Sequence, residues 1–318
     1  MTEGFSQTSY LVKLSARMRK ALAQGPRSVL EFHARLILSF QKDDGGFAGR
    51  RGGADLYYTG FAVRALHALG ALTPRVVAGV NGYLSHQEPD NIIDELNLLS
   101  SLLALGKGGP DCRVVSHFLE GFRIPDGGYA KGTGAETGST YHTFLAALCY
   151  DLLGERPPEP ERVGAFLHVQ ARPDGGFCDA PTAAHSNTNA TAAGLSTAML
   201  LGLADHHRIN EATAYLLSMR DATGGWLATT HAPFPDLLST YTALMTLESA
   251  GVLTAEIMGV AAQFAGSCAC EDGGFKAAPV DDQADTEYTF YGLGVSALAI
   301  EKGCPSHIFR NYESTRTE

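Results

Sequence analysis

Carboxylates recur in this chain at one kind of place. Asp55, Glu136, Asp236 and Asp285 each stand four residues ahead of a Thr, in Asp55-Leu56-Tyr57-Tyr58-Thr59, Glu136-Thr137-Gly138-Ser139-Thr140, Asp236-Leu237-Leu238-Ser239-Thr240 and Asp285-Thr286-Glu287-Tyr288-Thr289. Asn187 holds the same place in Asn187-Thr188-Asn189-Ala190-Thr191. A carboxylate or amide there can accept backbone N–H bonds at a helix start, where its charge suits the positive end of the dipole. If the pentads converge, the same groups reach a shared ligand. Glu287 adds a second carboxyl to one pentad. His142, His185 and His231 lie near the pentads, where an imidazole can act as a base, meet a phosphate or take a local hydrogen bond. Tyr57, Tyr58, Phe61, Tyr141, Trp226, Tyr241, Tyr288, Phe290 and Tyr291 cluster there too. Their faces suit a cationic guest, or simply a packed core.

The elements that must position these residues form a repeat. Each unit is an apolar run, then Gly-Gly-aromatic, then a polar loop, then a pentad: Gly45-Gly46-Phe47, Gly127-Gly128-Tyr129, Gly175-Gly176-Phe177, Gly224-Gly225-Trp226 and Gly273-Gly274-Phe275 open five of them. Gly175, Gly224 and Gly273 follow one another at 49 residues, the length of a helical hairpin with its loops. The 82 residues from Gly45 to Gly127 hold two shortened units, the second marked by Gln87-Glu88-Pro89-Asp90-Asn91 without glycines. Large side chains return every three or four residues, as in Phe61, Val63, Leu66 and Leu69, so both arms are helices. The reading is an all-α protein: six hairpins closed into an α6/α6 barrel, with inner helices starting at the pentads and pentad positions three and four facing the central mouth. It treats 1–318 as one domain, with a helical extension over about 1–27 and a polar tail over about 305–318.

Composition narrows the partners. A net charge of −10 excludes a nucleic-acid wrapper, which needs clustered Lys and Arg. No apolar run is long enough to cross a bilayer, and Met1 to Gln41 mixes charges where a secretory core would sit, so a cytoplasmic protein with at most peripheral membrane contact is expected. Six cysteines in 318 residues show no disulfide framework, and Cys268-Ala269-Cys270 lacks a second pair at metal-ligand spacing. Arg17-Met18-Arg19-Lys20 beside Leu11, Leu14 and Leu22 reads as an amphipathic helix packed on the barrel or on a partner.

Six units with Gln-x-x-x-Gly-Gly-Phe turns resemble the α/α toroids of protein prenyltransferase β subunits and, more distantly, squalene-hopene cyclase and the class II terpene cyclases. In the prenyltransferases an Asp-x-Cys at the fifth inner helix and a His at the fourth position of the next pentad hold zinc. Here Asp236 survives, but Leu238 and Tyr288 stand at the Cys and His positions, so zinc is not expected. The basic diphosphate clamp of that family has only His231 in Thr229 to Pro235 to match it. In the cyclases, Asp-x-Asp-Asp-Thr opens an inner helix and its middle Asp protonates an alkene or epoxide. Asp285 to Thr289 resembles it, which implies Glu287 as proton donor and Asp285 as its neighbour, with Tyr288 in place of the second family Asp. Asp281-Asp282-Gln283-Ala284-Asp285 also resembles the Asp-Asp-x-x-Asp of class I terpene synthases, which implies magnesium at Asp281, Asp282 and Asp285.

The resemblance thus implies a hydrophobic isoprenoid-like ligand and an enzyme that protonates it without zinc, with Glu287, Asp285 and Asp236 as catalytic groups. The expected substrate wall is Tyr57, Tyr58, Phe61, Tyr141, His142, Trp226, Leu238, Tyr241, Tyr288, Tyr291, Asp55 and Glu136. Two alternatives stay open: a prenyl transferase working on an isoprenyl diphosphate, with a helical partner subunit or as a homodimer, and a non-catalytic toroid that binds lipid or a protein.

Overall fold

Each turn is built the same way, and the turn dictates the ring. In the computed structural model, which describes residues 5–304, the N–H of the aromatic residue after the paired glycines is buried and must find an acceptor. It donates to a threonine hydroxyl at the start of the next helix: Phe47 to Thr59 at 2.8 Å, Tyr129 to Thr143 at 2.9 Å, Phe177 to Thr191 at 2.9 Å, Trp226 to Thr240 at 3.0 Å and Phe275 to Thr289 at 3.1 Å. Before it, the N–H groups of Gly46, Gly128 and Gly176 donate to Asp44, Asp126 and Asp174, which shapes the reversal.

A leading helix α1 (Tyr10–Leu22) precedes six hairpins. These are α2 (Arg27–Ser39) with α3 (Leu56–Ala68), α4 (Pro74–Leu84) with α5 (Ile92–Ala104), and α6 (Cys112–Glu120) with α7 (Thr140–Leu153). The remaining three are α8 (Pro160–Gln170) with α9 (Thr188–Leu200), α10 (His206–Ser218) with α11 (Leu237–Ser249), and α12 (Ala255–Ser267) with α13 (Thr286–Glu301). The only strands among the described residues, β1 (Phe47–Ala48) and β2 (Ala54–Asp55), pair antiparallel inside the first loop, with Phe47 opposite Asp55. The expected all-α barrel is the observed one.

The second helices pack α3 on α5, α5 on α7, α7 on α9, α9 on α11, α11 on α13 and α13 back on α3, which closes an inner ring of six parallel helices. Their apolar faces leave few polar positions: α9 and α13 are buried on nearly every side. The outer helices cover them, and large turn aromatics fill the space between the rings. Phe47, Trp226 and Phe275 have no exposed surface at all.

Closure between the sixth and first units is visible at one joint. Gly273 sits at φ +99° with its α-carbon against the backbone of α2; a methyl there would lie 2.8 Å from the carbonyl oxygen of Phe32. The next N–H, of Gly274, donates to Nδ1 of His33 at 2.9 Å, and the His33 ring stacks on Phe275 at 5.2 Å. Above the joint, Arg50 of the first loop pairs with Asp281 at 2.6 Å and with Asp285 at 3.1 Å.

Helix α1 lies across the opposite end of the ring. Its backbone at Tyr10 donates to Asp151 at the end of α7, and Arg17 pairs with Glu248 of α11 and Glu301 of α13, all at inner-helix C-termini. Leu14, Met18, Ala21 and Leu22 form its buried face. The amphipathic segment therefore packs on its own barrel. The expected polar tail over 305–318 lies outside the described residues.

Two outcomes test this joint. Gly273→Ala is expected to cost about 1–3 kcal/mol or more, through both the positive φ and the clash with α2. Gly53→Ala, where nothing lies within 4 Å, should stay within about 0.5 kcal/mol in the same denaturation measurement. His33 is buried and its pKa is pushed down to about 4, so the folded state holds it neutral. Its contribution is complete above the unfolded value near 6.5 and is lost as pH falls from there toward 4, by at most about 1.4 kcal/mol per pH unit. Unfolding free energy measured across that window should fall less steeply in His33→Asn, whose amide oxygen can replace Nδ1 as acceptor.

Candidate functional site

The threonine bonds fix the rotation of five of the six inner helices, and with it the role of each pentad position. Position one caps: Asp55, Asn91, Ser139, Asn187, Asp236 and Asp285 each accept the N–H three residues on. Position two is buried between neighbouring helices, as Leu56, Ile92, Thr140, Thr188, Leu237 and Thr286. Position five turns outward to its glycine turn. Position three is left to face the axis, and all six such residues, Tyr57, Ile93, Tyr141, Asn189, Leu238 and Glu287, line one cavity of about 310 Å³. From there each helix shows the ring interior at three- and four-residue steps, for example Tyr57, Phe61 and Arg64, or Glu287, Phe290 and Tyr291.

The third unit departs from the sequence reading. Its cap is Ser139 and its lock is Thr143, so the pentad is Ser139-Thr140-Tyr141-His142-Thr143, three residues later than Glu136 to Thr140. Glu136 is exposed in the loop and reaches no ligand site. A spacing carried the right answer: 14 residues separate the turn aromatic from its threonine in units three to six.

The bore is walled by aromatics on α3, α7, α11 and α13, and by Ala192, Ala193 and Ser196 on α9, whose small side chains leave the room. Tyr10, Leu11 and Leu14 of α1 form its floor, and a side cavity of about 200 Å³ continues past Tyr10 and Phe144 toward Ser249. Glu287 is the one carboxyl among the described lining residues, half-buried at pentad depth. Burial pushes its pKa up, against smaller opposing effects from the Tyr57 and Tyr291 hydroxyls and the Arg64 charge. The Tyr291 hydroxyl lies 3.4 Å from Oε1 of Glu287. Phe61 meets Phe290 and Tyr291 edge to face, at 5.6 and 5.4 Å, and Tyr241 packs on the same pair.

Of the pentad residues and nearby aromatics singled out in the sequence, Tyr57, Phe61, Tyr141, Leu238, Tyr241, Glu287, Phe290 and Tyr291 come together in the bore. The others do not line it. Trp226 is wholly buried between the rings, its indole N–H donating to the Leu216 carbonyl at 2.7 Å. Tyr58, His142 and Tyr288 stand at position four, turned aside from the axis; His142 Nδ1 meets Ser139 Oγ at 3.0 Å. Asp55, Asp236 and Asp285 are caps, and Asp236 also accepts the Ser239 hydroxyl. His185 and His231 face each other on exposed loops, 6.3 Å apart. Asp281 and Asp285 are held by Arg50, which leaves their oxygens facing a guanidinium, while Asp282 is exposed. Among the described residues no three His, Cys, Asp or Glu side chains are grouped to hold a metal ion. Leu238 and Tyr288 likewise offer no thiolate or imidazole beside Asp236, so the residues present do not fit a zinc centre. The sequence reading missed Ile93, Asn189 and Arg64 as lining residues; the seven-residue step from Tyr57 to Arg64 was the available signal.

Residues 27–116 and 130–315 match the prenyltransferase alpha-alpha toroid domain, and the chain belongs to that family. No curated protein matches its sequence. Among solved structures it is similar to Candida albicans protein geranylgeranyltransferase-I complexed with GGPP, with a TM-score of 0.68 at 13% identity, over 87% of this chain and 92% of that one. It is also similar to the type II terpene cyclase MstE from Scytonema in complex with geranylgeranyl dihydroxybenzoate, at TM-score 0.62 and 14% identity over 90% and 98% of the two chains. An α-1,6-mannanase, GH76A of Salegentibacter, superposes at TM-score 0.59 and 11% identity over 87% and 99%. At these identities the likeness concerns the fold, which serves both isoprenoid and sugar ligands, so the lining residues must decide the chemistry. No described helix is long and apolar enough to cross a membrane.

The small wall of α9 makes the bore testable by size. Ala193→Trp is expected to fill it and abolish the fluorescence rise of a neutral naphthylamine dye that binds the unaltered protein, with the thermal midpoint retained.

Proposed function

We propose that this chain is an isoprenoid cyclase or isomerase that begins its reaction by protonation. The observation that carries the reading is the placement of Glu287: a single carboxyl, its pKa raised by burial, facing an aromatic-walled bore beside two tyrosine hydroxyls. A carboxyl held neutral is a proton donor, and a raised pKa keeps it so at higher pH. In the step proposed, the O–H bond of Glu287 breaks as a C–H bond forms on one carbon of an alkene, leaving a carbocation on the more substituted carbon. The carboxylate left behind is stabilised by the hydroxyls of Tyr57 and Tyr291, which then hydrogen-bond to a charge rather than to a neutral acid. The faces of Phe61, Tyr241 and Phe290 meet the cation as it moves into a new ring or double bond. Loss of a proton ends the sequence, and Glu287 is reprotonated from the mouth. The solved relatives with GGPP and with geranylgeranyl dihydroxybenzoate support an isoprenoid ligand for the family fold. Prenyl transfer through a zinc thiolate finds less support, because Leu238 faces the bore at the position expected for the thiolate.

Linear C15 and C20 isoprenoids incubated with the protein and analysed by mass spectrometry should yield cyclised or isomerised products of unchanged mass. Glu287→Gln should stay folded, retain the bore and lose turnover by about 10²–10⁴-fold. Turnover should also fall as pH rises through the raised pKa of Glu287, because the protonated form is the active one. Undiminished product from Glu287→Gln would exclude it as the acid.

A further inference from the structure

A second charge sits in the bore, and no described carboxylate is paired with it. Arg64 on α3 is the one cation among the described residues that line the cavity, and no carboxylate among the described residues lies within 4.0 Å of it. Every part of its environment holds the guanidinium still. Nε donates to the Gly60 carbonyl at 3.0 Å, one Nη donates to Oδ1 of Asn97 at 3.2 Å, and the group lies 4.4 Å from the Phe61 ring centre and 4.6 Å from that of Phe290. Asn97 is itself seated: its Nδ2 donates to the Ile93 carbonyl, and its side chain occupies the space where a methyl on Gly60 would come within 2.3 Å of Oδ1. The remaining Nη makes no hydrogen bond to the described residues.

Other arginines in this fold show what a structural role looks like. Arg50 is gripped by Asp281 and Asp285, and Arg123 stands 3.6 Å from Glu120. Arg64 lacks such a partner although burial opposes its charge, and an enclosed cation without a counter-ion is costly. It also works against the chemistry proposed above, since an unneutralised guanidinium opposes a carbocation in the same low-dielectric bore. A ligand that brings its own anion removes both penalties. One fork and one charge match a carboxylate; a diphosphate needs several fixed cations.

We infer that the bore takes a long isoprenoid chain ending in a carboxylate, which the free edge of Arg64 binds near the α1 floor while the chain runs up toward Glu287. This rests on the reading of the bore as an isoprenoid site. Arg64 lies about two turns below pentad position three along α3 and its head folds back one turn to the Gly60 carbonyl, so cation and acid stand at different depths and address different parts of one folded chain. Arg64 and Asn97 are then specificity-determining residues, set apart from the proton donor.

Binding distinguishes this from the catalytic reading. Geranylgeranoic acid, geranylgeraniol and geranylgeranyl diphosphate would be titrated by calorimetry into the full chain, into Arg64→Met and into Asn97→Ala, each carrying Glu287→Gln so that nothing turns over. The acid is expected to bind about tenfold or more tighter than the alcohol, as a charge-assisted pair should, and tighter than the diphosphate. Arg64→Met should bring the acid to the level of the alcohol and leave the alcohol nearly unchanged, with Asn97→Ala intermediate. Equal binding of acid and alcohol with Arg64 present, tightest binding of the diphosphate, or a preference for acid that survives Arg64→Met would each overturn the inference even if Glu287 is the acid. Should Arg64→Met fail to fold, the comparison of the three ligands with Arg64 intact still decides. Binding of none of them removes the inference together with the isoprenoid reading, whereas acid preference with an unimpaired Glu287→Gln enzyme removes only the proton donor.

Discussion

The bond from a buried turn N–H to a threonine hydroxyl governs this architecture. A backbone donor enclosed between two rings of helices cannot reach water, and an unmet N–H there costs as much as a lost hydrogen bond. Thr59, Thr143, Thr191, Thr240 and Thr289 meet it from short, stiff side chains one turn into the inner helices. Because the hydroxyl has little reach, the bond sets the helix rotation as well as its position. Five such locks, repeated around a closed ring, hold the inner helices in the same phase.

That constraint separates scaffold from site within five residues. The first pentad residue is committed to capping, the second to neighbouring helices and the fifth to the turn, so none can change its chemistry freely. The third neither caps nor locks, although the Asn189 amide bonds Ser239 and Thr242 of α11. It is Tyr, Ile, Tyr, Asn, Leu and Glu around the ring, a diversity that the capping and locking positions do not share. The second unit supports the same division from the other side. It has no paired glycines and no threonine lock; Glu95 stands in the fifth place, buried, its pKa pushed up to about 7, while Asn91 still caps and Ile93 still faces the axis.

Much of this was legible in the sequence, and the failures have physical causes. The repeat of paired glycines before an aromatic gave the number of hairpins, because a positive φ and a close approach to the next outer helix are demands that few other residues meet. Glu287 could be placed because its pentad follows the dominant pattern. The third unit was displaced because Glu136 and Thr140 also stand four apart, and an acid looks like a better cap than the serine at 139 that performs the task. Trp226 is near the pentads in sequence with the other aromatics, yet the residue after the glycines is turned outward by the lock itself. Arg64 stands seven residues after Tyr57 on the same helix face, a step that becomes decisive once the Thr59 lock fixes which face turns inward.

The floor determines how the two charges of the bore can act together. Six parallel helices around an axis would leave a channel open at both ends, through which water could reach any intermediate. Helix α1 closes one end, anchored by the Tyr10 N–H on Asp151 and by Arg17 between Glu248 and Glu301, with Leu11 and Leu14 turned into the cavity. The anchor is polar where it meets helix C-termini and apolar where it meets the bore, so charges at the far end stay outside the pocket. Inside, the only described charges are Glu287 near the mouth and Arg64 toward the floor. The two act on each other across an apolar space: burial pushes the Glu287 pKa up, and the Arg64 charge is among the smaller effects that oppose that rise. In the step proposed above, proton transfer would leave a carboxylate at Glu287 and a carbocation on the guest, with the Arg64 guanidinium as the third charge of the bore. On that proposal the polarity of the guest follows from the order of these two side chains along the axis and from the floor that α1 lays across one end.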